Sequence, residues 1–262
     1  MNLKQKTGVG SLNDPAVQAV ARYALDYVKD GAKLGLGSGR ASMAFIKALG
    51  QRVKDGLRVQ GVPTSNASEK LARDLKIPII ELTEDLILDF IVDGADEVAP
   101  NLDLIKGWGG SLVRERIVAS MCREQIILVS SEKLVQTLGE RGRLPVEIIP
   151  LSKSYVIRKL KELDLVPTMR LSTVLATSKK SKAEEPSPPY FTDNGNLILD
   201  CALKSPLKDG RTARNMEARI LAIVGVVDTG LFLGTCSRVL VGKIDGTVEL
   251  LSVSAQTSLS RR

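Results

Sequence analysis

Residues 88–115 read LDFIVDGADEVAPNLDLIKGWGGSLVRE. The apolar run Leu88–Val92 has the length of a fully buried strand, and it stops abruptly at Asp93-Gly94-Ala95-Asp96-Glu97. A second apolar segment, Leu102–Ile105, ends in Lys106 and in Gly107, Gly109 and Gly110, interrupted by Trp108. Ser111 then opens a helix that carries Arg114 and Glu115. Charged groups released at the ends of apolar strands, and joined by glycine, lie where an α/β fold places its ligand chemistry.

The same alternation extends on both sides. Upstream, Asn13-Asp14-Pro15 is a helix start, with a capping side chain followed by proline at the first helical position. That helix is expected to run to Asp30-Gly31. A strand over residues 33–36 then leads into Gly35, Gly37 and Gly39 of LGLGSGRAS and a helix from about Ala41 to Arg52. Strand, glycine loop and helix form the arrangement that cradles phosphate. Further strands are expected at 57–62 and 78–82. Between them a helix starts at a capping box read as Asn66…Glu69 and runs through Leu75. A helix at 111–121 and a buried strand at 125–129 follow. The pattern predicts an α/β fold with a doubly wound, Rossmann-like parallel sheet.

From Leu144 the character changes. A strand, a basic amphipathic helix at 153–163, strands at 169–175 and 197–201, a helix at 211–222 and a strand from Val226 describe a smaller α+β unit. The expected organisation is a catalytic domain of residues 1–144 plus about 230–255, with a small domain at 145–229. Strands at 239–241 and 248–251 return to the main sheet. The polar stretch 177–189 (TSKKSKAEEPSPP) is expected to be an insertion without effect on catalysis, and 256–262 a disordered tail.

Composition narrows the chemistry. The 262 residues contain no histidine, which removes Ser-His-Asp and Cys-His nucleophile systems and the commonest ligand of a catalytic zinc. Acid–base work then falls to Asp, Glu, Lys, Tyr or Cys. The three cysteines, Cys122, Cys201 and Cys236, match no metal spacing and read as reduced buried thiols. Net charge is +7, yet aromatics are only 3% of the chain, so the interleaved basic and aromatic face of a nucleic-acid binder is missing. The excess suits attraction of small anions. No apolar run is long enough for a membrane span and the first residues hold no signal core, so a cytoplasmic protein is expected.

Taken singly, the charged residues of 88–115 have ordinary explanations. Asp93 can cap a turn, Glu115 can complement a helix N-terminus, and Trp108 can be a packing residue. Asp93 and Asp96 can bind a divalent metal, with Glu97 or Asp103 as a third ligand, or accept hydrogen bonds from sugar hydroxyls. Together the set offers a base, an anion stabiliser and polar carboxylates, which suits proton abstraction beside a carbonyl.

The sequence resembles ribose-5-phosphate isomerases of the A type over nearly its whole length. The resemblance is carried in order by GLGSGRAS (35–42), GVPTS (61–65), DGADEVAPNLDLIKGWGGSLVRE (93–115), SSEKLV (130–135), LPVEIIP (144–150), FTDNGNLILD (191–200) and GVVDTGLF (225–232). It implies interconversion of D-ribose 5-phosphate and D-ribulose 5-phosphate through an enediolate, in the non-oxidative pentose phosphate pathway, without metal or organic cofactor. It also implies a Rossmann-like domain joined to a smaller ferredoxin-like α+β domain, as a homodimer. Glu115 becomes the expected base and Lys106 the stabiliser of the enediolate. Asp93 and Asp96 become the groups that handle sugar hydroxyls and ring opening. Ser38, Gly39, Arg40, Ala41, Gly94, Ala95, Gly107, Trp108, Gly109 and Lys133 are expected to line the substrate site, with phosphate among their ligands.

Two departures from the family pattern fall inside that site. The loop usually reads Gly-Thr-Gly-Ser-Thr and here is Gly37-Ser38-Gly39-Arg40-Ala41, which suggests that Arg40 takes over phosphate contacts. Trp108 replaces a glycine and is expected either to cover the substrate or to constrain its loop. The competing readings are a non-catalytic sugar-phosphate sensor on the same fold, an aminosugar-phosphate deaminase-isomerase, and a DNA-binding regulator. A deaminase-isomerase would be expected to use a histidine. A regulator would need a winged-helix segment, for which the N-terminus has no room.

Overall fold

The computed structural model describes residues 14–172 and 187–252. Most of the stretch 177–189 and all of the tail 256–262 lie outside the described residues. The chain begins with α1 (Pro15–Ala24), where the Asp14 carboxylate accepts from Ala16 N at 2.9 Å and Pro15 occupies the first turn. It continues through β1 (Ala32–Leu36), α2 (Arg40–Lys54), β2 (Val59–Pro63), α3 (Asn66–Asp74), β3 (Leu88–Gly94), β4 (Glu97–Val98), β5 (Leu104–Ile105), α4 (Leu112–Ser120) and β6 (Cys122–Ser130). Then come β7 (Leu144–Ile148), α5 (Lys153–Glu162), β8 (Leu165–Met169), β9 (Leu197–Leu203), α6 (Gly210–Leu221), β10 (Val226–Thr229), β11 (Leu231–Phe232), β12 (Arg238–Gly242) and β13 (Val248–Ser252).

The main sheet has the order β13-β12-β6-β3-β1-β2, parallel throughout except for the edge strand β13. Its central strands are buried on both faces, as parallel strands between helices must be. One core layer packs Val20, Ala24, Phe45 and Leu49 of α1 and α2 against Leu34, Leu36 and Val92. The second sheet, β10-β7-β9-β8, is wholly antiparallel and carries α5 and α6, the split β-α-β arrangement of a ferredoxin-like unit. Its core gathers Val146, Leu160, Leu199 and Ile220. A small third sheet, β11-β5-β4, holds the loop that bears Lys106. Among the described residues no helix is long and apolar enough to cross a membrane.

Three expectations are corrected. The cap of α3 is one residue earlier than read: Ser65 and Ser68 bond reciprocally, while Glu69 pairs with Arg73 one turn on. Residues 78–82 do not form a strand. Only Ile79 bridges to Gly61, because Pro78 has no N–H to donate and the chain leaves the sheet edge at once. Of the strand expected at 169–175, residues 173–175 lie outside the described residues; the described strand runs over Leu165–Met169, followed by a single bridge between Leu171 and Pro189. Pro167 is tolerated there because β8 is the edge of its sheet.

Candidate active site

The C-terminal ends of β1, β3, β5 and β6 all deliver site residues. Gly37 continues β1, and a Cβ there would stand 2.3 Å from Asp93 Oδ1, so only glycine lets the loop come so close to β3. Gly39 takes φ +84° and starts α2, which places Ser38, Gly39, Arg40 and Ala41 at the helix entrance. Asp93 ends β3, 1% exposed. Its Oδ1 accepts from Ser38 N (3.1 Å), Ser42 Oγ (3.1 Å) and Gly94 N (2.8 Å), and its Oδ2 from Lys106 Nζ (2.9 Å). Three donors crowd Oδ1, while Oδ2 takes one and keeps a lone pair to offer.

Lys106 leaves β5 and reaches back under the β3 end. Its ammonium, 2% exposed, also donates to the Gly94 carbonyl and lies 3.0 Å from Glu115 Oε2. Burial opposes a charge there, but Asp93 and Glu115 outweigh it and hold the Lys106 pKa above its ordinary value. Glu115 sits on the buried stripe of α4 with Leu112 and Val118, not on an exposed first turn. Its Oε2 contacts the ammonium without hydrogen-bond geometry and has no other protein donor. Burial and the neighbouring Asp93 charge push the Glu115 carboxyl up to about 7, against the pull of Lys106. A carboxylate of this kind is a competent base near neutral pH.

Asp96 is half-buried and its Oδ2 accepts from Trp108 N at 2.9 Å. Desolvation raises its pKa, opposed by that bond and by Lys133 and Lys106. Lys133, in a short turn after β6, has its pKa lowered by burial, with Asp96 opposing and Arg141 and Arg40 contributing. Ala95 and Gly94 complete the loop between the two aspartates, and Gly109 lies in an open part of the glycine run.

Trp108 and its loop are tied down from two sides. Its Nε1 donates to Arg143 O (3.1 Å), and its carbonyl and that of Gly107 accept from Arg170 (3.2 and 2.9 Å), itself paired with Asp200. The indole is surrounded by the cations of Arg143, Lys133 and Arg141, at 4.6, 5.4 and 5.8 Å from its centroid. Gly107 (φ +102°) and Gly110 (φ +92°) make the turns on either side.

The acidic residues considered as further metal ligands are elsewhere. Glu97 accepts from the backbone of Gly139 and Arg141, and Asp103 from Asn101 and Gly234. Among the described residues no group of three His, Cys, Asp or Glu converges on a metal position. Ser42 and Thr64 were missed in the sequence. Ser42 lies one helical turn beyond Ser38, a spacing that could have marked it, and Thr64 bonds Ser38 Oγ at 2.7 Å from the GVPTS segment. Arg170 carried no local signal, since its partners are some sixty residues away in the chain.

Fold and site together define an α/β protein with a buried Asp–Lys–Glu cluster beside a basic, helix-started loop. A family model described as ribose 5-phosphate isomerase A (phosphoriboisomerase A) matches residues 60–246, and the chain belongs to that family. It is 44% identical over 236 residues to ribose-5-phosphate isomerase A of Parvibaculum lavamentivorans, covering 89% of this chain and 96% of that one. It is 39% identical over 249 residues to the Bacillus mycoides protein of the same name, covering 95% and 99%. The solved ribose 5-phosphate isomerase A of Methanocaldococcus jannaschii superposes with a TM-score of 0.81 at 37% identity, over 93% of this chain and 100% of that one.

The raised Glu115 pKa has a stability consequence with a fixed sign. Between the ordinary value of 4.5 and about 7 the folded chain keeps a proton that the unfolded chain releases, so stability falls as pH rises through that window. Glu115→Gln removes a buried charge that exists only above it. Thermal melts are expected to show the variant more stable than wild type at pH 8 by about 5 °C, and nearly equal to it at pH 5. A variant less stable at pH 8 would overturn the assignment of a destabilising charge to Glu115.

Proposed function

We propose that this chain catalyses the reversible conversion of D-ribose 5-phosphate into D-ribulose 5-phosphate. The observation that carries the reading is the buried Asp93–Lys106–Glu115 set, with Glu115 Oε2 beside the ammonium and lacking any hydrogen-bonding partner. Glu115 takes the proton from C2 of the open-chain aldose and returns it to C1, while the O2 hydroxyl proton passes to O1. Lys106 balances the negative charge that develops on the enediolate oxygens, the kind of preorganised electrostatic stabilisation that dominates many such reactions. Asp93, already holding four donors, keeps Lys106 and the Ser38 loop in place. Asp96, with a single backbone donor on Oδ2, takes the larger share of the sugar hydroxyls and of ring opening.

Arg40, Lys133 and the first turn of α2 form the phosphate end. A solved D-ribose-5-phosphate isomerase, 33% identical, is in complex with phospho-erythronic acid, a ligand whose phosphate and carboxylate would suit the two cationic ends of this site. The three cysteines are free thiols, in keeping with a cytoplasmic setting. A homodimer is supported by the exposed side chains of Ile149, Leu151 and Val224, which a backbone bond from Ile149 N and a hydroxyl bond from Ser152 Oγ, both to Gly225 O, bring to one end of the second sheet.

Three measurements test these readings. With EDTA present, wild type is expected to form ribulose 5-phosphate, with kcat rising as pH passes about 7 and Glu115 ionises. Glu115→Gln is expected to lose about 10²–10⁴-fold in kcat. Absence of wild-type turnover would favour the sensor reading, and an active Glu115→Gln would remove the base assignment. Arg40→Ala is expected to raise KM roughly tenfold or more with kcat little changed, the worth of a charge-assisted contact; an unchanged KM would exclude Arg40 from phosphate binding. Light scattering after size exclusion is expected to give twice the chain mass for wild type and a shift toward monomer for Leu151→Asp.

A further inference from the structure

The base-bearing helix α4 is short and weakly anchored by itself. Ser111 makes no side-chain cap, and the buried stripe of Leu112, Glu115 and Val118 contains a carboxylate where an apolar residue would normally hold the helix down. Successive helical residues point about 100° apart, so Arg114 and Arg116 stand on the two shoulders of that stripe. Arg114 donates to Asn66 Oδ1, Asn194 Oδ1 and Asp193 O (2.8–2.9 Å) on one side. Arg116 donates to Asp228 Oδ2 (2.5 Å), Thr229 O (2.8 Å) and Leu231 O (2.7 Å) on the other.

The Arg116 side is the informative one. Leu231 belongs to β11, which pairs with β5 at Ile105, the residue before Lys106. Lys106 N donates in turn to Gly230 O at 2.9 Å. The Arg116 guanidinium lies 4.2 Å from the Phe232 ring centroid, and Lys106 Nζ lies 5.4 Å from the same ring. One side chain thus ties the helix that carries Glu115 to the strand that registers Lys106.

From this geometry we propose that Arg116 is a positioning residue for the reaction: its fork on Asp228 and the two carbonyls fixes the rotation of α4 and so the placement of Glu115 against Lys106 and substrate. A carboxylate roughly 6 Å from a helix axis moves about 1 Å for a rotation of about 10°, and a misplacement of that size costs on the order of 10²-fold in rate. The planar fork is what the three acceptors require. A lysine supplies the charge but not the set of directed bonds.

The inference rests on the isomerase reading of Glu115, and the experiment separates the two. Wild type, Arg116→Lys, Arg116→Met and Asp228→Asn are assayed for ribulose 5-phosphate formation, with thermal melts on the same samples. Arg116→Lys and Arg116→Met are expected to lose ten- to a hundredfold in kcat with KM within twofold of wild type. Asp228→Asn, which keeps the shape and removes the charge, is expected to lose kcat about fivefold, again at constant KM, and stands in if either arginine variant fails to fold. Full kcat in Arg116→Lys would show that charge alone suffices and overturn the proposal. A lowered melting temperature with kcat unchanged in Asp228→Asn would likewise reduce the contact to a structural one. If wild type itself does not turn over, it is the isomerase reading that fails.

Discussion

A single buried ammonium sets the terms for everything around it. Lys106 is out of contact with water, and the cost of that burial is offset only because two carboxylates and one carbonyl converge on it. Removing the ammonium, or the Asp93 carboxylate hydrogen-bonded to it, is the kind of change that typically costs about 3–5 kcal/mol, so β3 and β5 are held to one another by the charge itself. β3 brings Asp93, β5 brings Lys106 and α4 brings Glu115. The glycines at 37 and 107 exist at the points where backbone must come close enough for this to happen.

The convergence also gives a chain without histidine a carboxyl that titrates near neutral pH, as the proposed base must. Desolvation and a fixed negative neighbour raise one carboxyl, and the adjacent ammonium stops the rise before the group loses its ability to ionise. Asp93 and Glu115 are chemically similar but end in opposite roles. One holds four donors, the other has an oxygen whose single partner is the ammonium 3.0 Å away. Environment, not residue type, divides the work.

Much of this could be read from the chain alone, and the limits have physical causes. The parallel sheet announced itself because its central strands are buried on both faces and run as largely apolar segments, two of which end at Gly37 and Asp93. The site residues followed from the same strand ends. Local competition defeated the finer detail: Ser65 and Ser68 satisfy the α3 entrance better than Asn66 and Glu69, and Pro78 interrupts what composition presents as a strand. Long-range partners left no trace in sequence. Arg170 gripping the carbonyls beside Trp108, and Arg116 gripping β10 and β11, depend on contacts that only the folded chain creates. Trp108 belongs with these: a lone aromatic among glycines gives no hint in sequence of the three cations that gather around its indole.

The connectivity of the sheets bears on the order in which the protein comes into being during synthesis. Until residues 238–242 emerge, β6 is an open edge of apolar side chains, and until residues 231–232 emerge, the strand that carries Lys106 lacks its β11 partner. The antiparallel unit from β7 to β10 is made in between, and its strand pairings all lie within that span, although Ile105 and Leu231 complete its core. A nascent chain therefore completes its smaller sheet while the larger one waits, and the reactive centre comes together last. Chains cut short before β11 retain Asp93, Lys106 and Glu115 but lack the strand that registers Lys106 through Ile105 and the carbonyls that Arg116 grips.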